Sequence, residues 1–168
     1  GIGSDPRIGD QYLHAGAGFG GSCFRKDMLA TMATAAQAGC SSRIIDAALS
    51  LNEDHRDALG MRVVRLINGG VFPTGGSRVH KTAAVWGLAF KPGTDDVRDA
   101  PALPMVERLL DFGVTVRVHD PVASSRFMGL LNGHYKPHVL NDGTLSLTPE
   151  SSIADDPYAA AAGADALV

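Results

Sequence analysis

Beyond residue 82 the apolar residues follow a β/α rhythm, and this limits the fold more than any other feature of the chain. Residues 82–88 and 114–118 are short apolar runs of strand length, and residues 101–112 between them carry a helical spacing. A further helix is expected over 157–162 and a further strand over 166–168. Strand, helix and strand joined by short connections imply a parallel sheet with crossover helices. Residues 127–152 show no clear period and read as loop or insertion.

The preceding part of the chain is helical. Met28, Leu29, Met32, Ala35 and Ala36 recur at three- and four-residue spacing, which predicts a helix over 27–38 with Gly39 at its C-terminal end. Ser41 or Ser42 is placed to cap a second helix, which Gly69 and Gly70 stop at about residue 68. Ile44, Ile45, Ala48, Leu49, Leu59, Val63, Leu66 and Ile67 give it an apolar stripe. An unbroken helix of that length spans roughly 40 Å at ~1.5 Å per residue. That exceeds what so small a core needs, and such stripes bury themselves against another domain or a second subunit. Two shorter helices broken near residues 52–55 are the alternative. The expected organisation is a helical segment over 1–70, a Gly/Pro/Ser-rich linker over 71–81 and part of a parallel, Rossmann-like α/β domain over 82–168.

Composition excludes several classes of function. The 168 residues are 45% hydrophobic and 20% charged, as in ordinary globular proteins. A net charge of -3 gives no basic face for nucleic acid or an anionic membrane. No run approaches the roughly 20 apolar residues that span a bilayer. The six histidines match no metal-ligand spacing, so no metal is expected. Cys23 and Cys40 flank the first helix, too far apart to pair, so both are expected as free thiols in a reducing, cytoplasmic compartment. The sequence begins in polar loop chemistry without methionine and stops within an apolar run, so both ends are expected to be cuts.

The richest chemistry lies in Gly16-Ala17-Gly18-Phe19-Gly20-Gly21-Ser22-Cys23-Phe24-Arg25-Lys26-Asp27. Glycines allow close approach of backbone to ligand and leave N–H groups free for oxygen atoms. A cysteine at a helix N-terminus meets the positive end of the dipole, which favours thiolate. Lys26 adds positive charge, and Asp27 is able to act as a base or orient water. An inert cysteine after a glycine-rich turn is the alternative, since free cysteines are often buried and unreactive. Asp120, after the second strand, is a ribose-binding acid or a helix cap, and the cap is the simpler reading.

The segment from Gly18 to Asp27 resembles the active-site motif of the UDP-glucose/GDP-mannose dehydrogenase family. Gly87-Leu88-Ala89-Phe90-Lys91-Pro92-Gly93-Thr94-Asp95-Asp96-Val97-Arg98-Asp99-Ala100-Pro101 resembles the start of that family's nucleotide-sugar-binding domain. Asp155-Asp156-Pro157-Tyr158 and Gly163-Ala164-Asp165-Ala166-Leu167-Val168 resemble its later helix and strand.

The resemblance implies an NAD-dependent oxidation of a sugar C6 alcohol to a carboxylate, with Cys23 as the nucleophile that forms a thiohemiacetal and then a thioester. It implies a proton-transfer or water-activating role for Asp27. Tyr12, His14, Ala15, Gly16, Ala17, Gly18, Phe19 and Gly20 then hold sugar and phosphates. Phe90 and Lys91 contact the substrate from the α/β part, Lys91 as a cation against a diphosphate or sugar oxygens. Lys26 and Arg98 lie near NAD. Arg7 reaches into a neighbouring subunit's site, which implies a homodimer through the central helix. UDP-glucose is the implied substrate, GDP-mannose the runner-up, and a non-catalytic nucleotide-sugar-binding dimerisation module the alternative of another class.

Two features depart from the family pattern. Arg25 stands where many relatives have proline, and residues 132–152 are longer than the family norm. No predicted strand is followed by a G-x-G-x-x-G fingerprint, so the NAD-binding domain is expected outside this sequence and the isolated chain is expected to be inactive.

Overall fold

The computed structural model describes residues 1–11, 13–75, 77–134, 151–154 and 156–168. Tyr12 and Asp155 lie outside the described residues, as does residue range 135–150 of the aperiodic stretch.

A short 3-10 turn at Ile2–Ser4 precedes α1 (Phe24–Gln37) and α2 (Arg43–Ile67). The second helix is unbroken, as its apolar stripe predicts, and the alternative break near residues 52–55 does not occur: α2 runs for 25 residues. Helix α1 starts three residues earlier than its apolar spacing predicts, with Cys23 at its N-cap. Both helices end on a left-handed glycine. The amide of Cys40 donates to the Ala35 carbonyl at 2.8 Å, and that of Gly70 to the Arg65 carbonyl at 2.8 Å, each the outer bond of a Schellman turn. Ser42 occupies the N-cap of α2, but its hydroxyl makes no cap hydrogen bond.

The α/β part contains β1 (Thr82–Trp86), α3 (Ala102–Asp111), β2 (Thr115–His119), α4 (Ser124–His134), β3 (Ser151–Ile153), α5 (Pro157–Ala161) and β4 (Ala166–Leu167). The four strands are parallel in the order β3-β2-β1-β4, with Val85 beside Val118 and Ala84 beside Leu167. β1 ends two residues before the expected boundary because Gly87, at φ +87°, turns the chain away from the sheet. Asp156 caps α5 by accepting the Ala159 amide at 2.8 Å, and Pro157 sets its first turn.

The reading of 127–152 as loop is corrected at both ends. Residues 124–134 form α4, whose Phe127 and Leu131 are fully buried, and Ser151–Ile153 forms an edge strand on β2.

One core joins the two parts. Ala83, Val85, Val116 and Val118 of the sheet pack with Val106 and Leu109 of α3, and with Val63 and Val64 of α2. Each fully buried aliphatic side chain contributes about 1.5–3 kcal/mol of transfer free energy. Gly60 lets α2 lie close to α3, since a Cβ there would come within 2.8 Å of the Arg108 side chain. Arg108 pairs with Asp57 across the same contact. The C-terminal half of α2 therefore belongs to the α/β core, and its N-terminal half projects beyond it. Helix α1 buries no residue, and Ile44 and Leu51 of α2 are 87% and 67% exposed.

Candidate functional site

The sheet reverses its strand order at β1, with β2 and β3 on one side and β4 on the other. In open α/β sheets ligands bind outside the carboxyl ends of the strands at such a point. A cavity of about 290 Å³ lies there, lined by Val85, Trp86, Phe90, Pro101 and Val168. Ala17 and Gly18 of the glycine-rich segment close it. A second cavity of about 480 Å³ shares Gly87, Ala89 and Phe90 and extends to Lys91 and Asp120.

The glycine-rich segment is pressed between α2 and the loop after β1. The Phe19 amide donates to Asn52 Oδ1 at 2.8 Å, and Asn52 Nδ2 donates to the Phe19 carbonyl at 3.1 Å. His55 Nε2 lies 3.0 Å from the Gly16 carbonyl. On the other side the Gly21 amide donates to the Arg98 carbonyl at 3.1 Å. A Cβ on Gly21 would lie 2.8 Å from the Phe90 ring, so Phe90 packs directly against the loop that carries the thiol. Gly18, Gly20 and Gly21 are thus explained by close approach on two faces, whereas a Cβ on Gly16 would meet nothing within 4 Å.

Cys23 and Cys40 are both free and exposed. Cys23 heads α1, with Ser22 Oγ at 3.7 Å from its sulfur. Lys26 pairs with Asp27 at 2.9 Å. The Asp27 carboxylate holds the Lys26 ammonium pKa above its usual value, and Cys23 adds a smaller push in the same direction. Asp96 chelates Arg98, with Nε to Oδ1 and Nη2 to Oδ2 both at 2.8 Å. That pairing raises the Arg98 pKa, and Cys23 again contributes. Two cations, one from each part of the chain, therefore stand within electrostatic reach of one thiol.

The remaining expected residues separate into two groups. Gly18, Phe19 and Gly20 lie on the loop that leads into Cys23, Phe90 packs on Gly21 of that loop, and Lys91 Nζ lies 5.2 Å from the Phe90 ring centroid. His14 does not join them: it lines another cavity, of about 440 Å³, with Asp10 and Leu13. Ala15 is exposed, and Arg7 is held by Asp5 at 2.6 Å with its side chain 86% exposed. Tyr12 lies outside the described residues.

Asp120 acts as a cap and a tie. Its Oδ1 accepts the amides of Val122 and Ala123 at the start of α4, and its Oδ2 accepts that of Leu88 at 2.9 Å. Among the described residues no group of three or more His, Cys, Asp or Glu side chains is arranged to hold a metal, and no helix is long and apolar enough to cross a membrane.

Sequence reasoning missed Asn52, His55, Arg56 and Asp99. Arg56 Nη1 donates to Asp99 Oδ1 at 2.7 Å, and Nη2 donates to the carbonyls of Asp99 and Ala100 at 3.1 and 3.2 Å. The available signal was a polar pair at i and i+4 within an apolar stripe, the very place where a helix break was the alternative.

The fold and site together define a parallel α/β body on whose strand ends a cysteine-bearing glycine loop is docked. Residues 84–168 match the UDP-binding domain of the UDP-glucose/GDP-mannose dehydrogenase family, and residues 1–54 match that family's central domain. The chain belongs to this family. It is 41% identical over its whole length to a UDP-glucose 6-dehydrogenase of Pseudomonas aeruginosa, of which it covers 33%. A UDP-glucose dehydrogenase structure from Pyrobaculum islandicum matches 99% of the chain with a TM-score of 0.74 and 33% identity, and the chain covers 33% of it. A GDP-mannose dehydrogenase structure from Pseudomonas aeruginosa matches 97% of the chain at a TM-score of 0.65 and 24% identity, a likeness of fold, with 33% of that chain covered. The chain thus spans about a third of the length of the relatives it matches.

Proposed function

We propose that this chain is part of an NAD-dependent enzyme that oxidises C6 of UDP-glucose to the carboxylate, with Cys23 as the nucleophile. The observation that carries this reading is the exposed Cys23 thiol at the head of α1, on a loop docked against Phe90 and tied through the Gly21 amide to the Arg98 carbonyl.

In this reading the diphosphate and sugar lie across the carboxyl ends of β1, between the glycine loop and Phe90, with Lys91 supplying positive charge. Once C6 is at the aldehyde level, Cys23 Sγ adds to the carbonyl carbon, and the thiol proton ends on the former carbonyl oxygen. Oxidation of that thiohemiacetal, with loss of the hydroxyl proton, leaves a thioester. Asp27 takes a proton from water as it attacks the thioester carbon; the carbon–sulfur bond then breaks, freeing the acid and returning a proton to sulfur. A thioester suits the task because it forms readily from a thiohemiacetal and hydrolyses readily.

The dinucleotide, when bound, accepts a hydride at each of the two oxidations. Lys26 and Arg98, with side chains 71% and 61% exposed beside Cys23, fit its phosphates. The exposed apolar positions Ile44 and Leu51 on α2 support a homodimer through the helical segment, from which Arg7 would reach a second site. Two free thiols fit a reducing, cytoplasmic setting. Alone, the 168 residues give no turnover.

The test is NAD reduction by the full-length enzyme containing this chain, supplied with UDP-glucose or GDP-mannose. NADH formation with UDP-glucose, and loss of net turnover in Cys23→Ser, is the expected result. Activity confined to GDP-mannose keeps the mechanism and replaces the substrate. Inactivity with both overturns the reading.

A further inference from the structure

Helix α2 carries two buried polar side chains one turn apart, Asn52 at 8% exposure and Arg56 at 7%. Burying an amide and a guanidinium on a face otherwise made of Leu49, Val63 and Val64 is costly unless each group is well paired. Asn52 is paired with the Phe19 backbone and Arg56, through its two terminal nitrogens, with Asp99 and Ala100, while Arg56 Nε is buried without a hydrogen-bond partner among the described residues.

Asn52 imitates a strand partner, accepting from the Phe19 amide and donating to the Phe19 carbonyl. Phe19 in turn packs edge-on against Phe24, 4.9 Å between ring centroids, and Phe24 follows Cys23 directly. The fit is tight: a Cβ on Gly18 would lie 2.7 Å from Asn52 Oδ1 and 3.0 Å from Arg56 Cγ. Arg56 reaches the other segment. It binds the side chain and carbonyl of Asp99 and the carbonyl of Ala100, holding Asp99 at φ +52°, which is uncommon for a residue with a side chain. The neighbouring Arg98 carbonyl receives the Gly21 amide, so the contacts close into a ring. The path runs from α2 through Phe19 to Gly21, across to Arg98 and Asp99, and back to α2 through Arg56.

We propose that Asn52 and Arg56 are positioning residues for the Cys23 thiol, fixing the distance between the loop that bears it and the turn that bears Arg98. They touch neither substrate nor thiol. The inference rests on the dehydrogenase reading for its kinetic consequence, though not for its geometric one. A rigid helix suits this role better than a loop would, because its i, i+4 spacing is set by the backbone ladder.

The test uses Asn52→Asp, which keeps the acceptor for the Phe19 amide but turns the donor into a repelling oxygen, and Arg56→Lys, which keeps the charge but not the fork. Three quantities are measured in each: the ratio of Cys23 to Cys40 alkylation by iodoacetamide, hydrogen exchange at the Phe19 amide, and kcat and KM separately in the full-length enzyme. The expected result is a shifted alkylation ratio through Cys23 alone, with kcat lowered about 10–100-fold and KM nearly unchanged. An unchanged ratio with wild-type kcat in folded protein overturns the proposal. So does a loss of activity that merely follows the folded fraction. If the enzyme proves not to be a dehydrogenase, the alkylation ratio still decides the geometric claim. If Asn52→Asp fails to fold, Arg56→Lys decides it by the same ratio.

Discussion

Gly20 faces the Asp99 carbonyl so closely that a Cβ on it would lie 2.2 Å from that oxygen and 3.1 Å from Pro101 Cδ. The obstruction is backbone, which has nowhere to retreat while Arg56 grips Asp99. Gly20→Ala should therefore cost at least the roughly 1–3 kcal/mol typical of overpacking, and push the thiol-bearing loop away from the α/β part. Gly16→Ala is the control, since nothing lies within 4 Å of a Cβ there. Chemical denaturation of both variants checks the contrast; equal stabilities would mean that the loop is not docked as described.

Asp120 gives a pH-dependent prediction. Burial pushes its pKa up, but hydrogen bonds from the amides of Leu88, Val122, Ala123 and Ala89 outweigh that and hold it below 3.8. A folded pKa below the unfolded one means stability that is fully present above the unfolded value and lost as pH falls through the folded value. Asp120→Asn should lose about 1–3 kcal/mol near neutral pH, and the gap to wild type should narrow on acidification below the ordinary carboxylate range. Urea unfolding at both pH values measures this. A gap that does not change with pH would assign the loss to packing rather than charge.

Much of this arrangement was legible from residue spacing, and the exceptions have physical causes. Helices α1 and α2 and strands β1 and β2 announce themselves through apolar period and terminal glycines. Helix α4 does not, because Gly129 and Gly133 dilute its apolar positions. Strand β3 is three residues long, Ser-Ser-Ile, and exists only because β2 offers an edge to pair with. At the site, Cys23 and its glycines stand out because their chemistry is local. Asn52 and Arg56 did not, since their partners lie 33 and 43 residues away and their polarity mimics a helix break. The role of Gly20 likewise depends on Asp99, which no local pattern connects to it.

Arg98 and Asp96 make a second electrostatic prediction. The Arg98 side chain, then its backbone amide, holds the Asp96 carboxyl at about 2, well below 3.8. Its stabilising effect is therefore complete above about pH 4 and disappears as pH falls toward 2. Carboxyl NMR of the wild type should place the Asp96 midpoint near that value, and Arg98→Gln should return it toward 3.8. An unshifted midpoint in the wild type would mean that the chelate does not persist in solution, leaving Arg98 free to adopt other positions around Cys23.

Arg25 tests how much of the α1 start is indispensable. It is the second residue of α1 and pairs with Glu53 at 2.7 Å, with side chains 43% and 55% exposed. Such a surface pair contributes roughly 0.2–1 kcal/mol. In Arg25→Pro that contribution disappears, and the residue before a proline is biased away from helical angles, which opposes Phe24. Against these, the first four amides of a helix have no intrahelical partner to lose, and a compatible proline gains about 0.4–1 kcal/mol from the unfolded chain. The terms nearly cancel, so Arg25→Pro should stay within about 1 kcal/mol of wild type and become less sensitive to salt. Thermal unfolding at low and high ionic strength measures both. A loss well beyond that range would show that Arg25, through Glu53 beside Asn52, belongs to the clamp that holds the Cys23 loop.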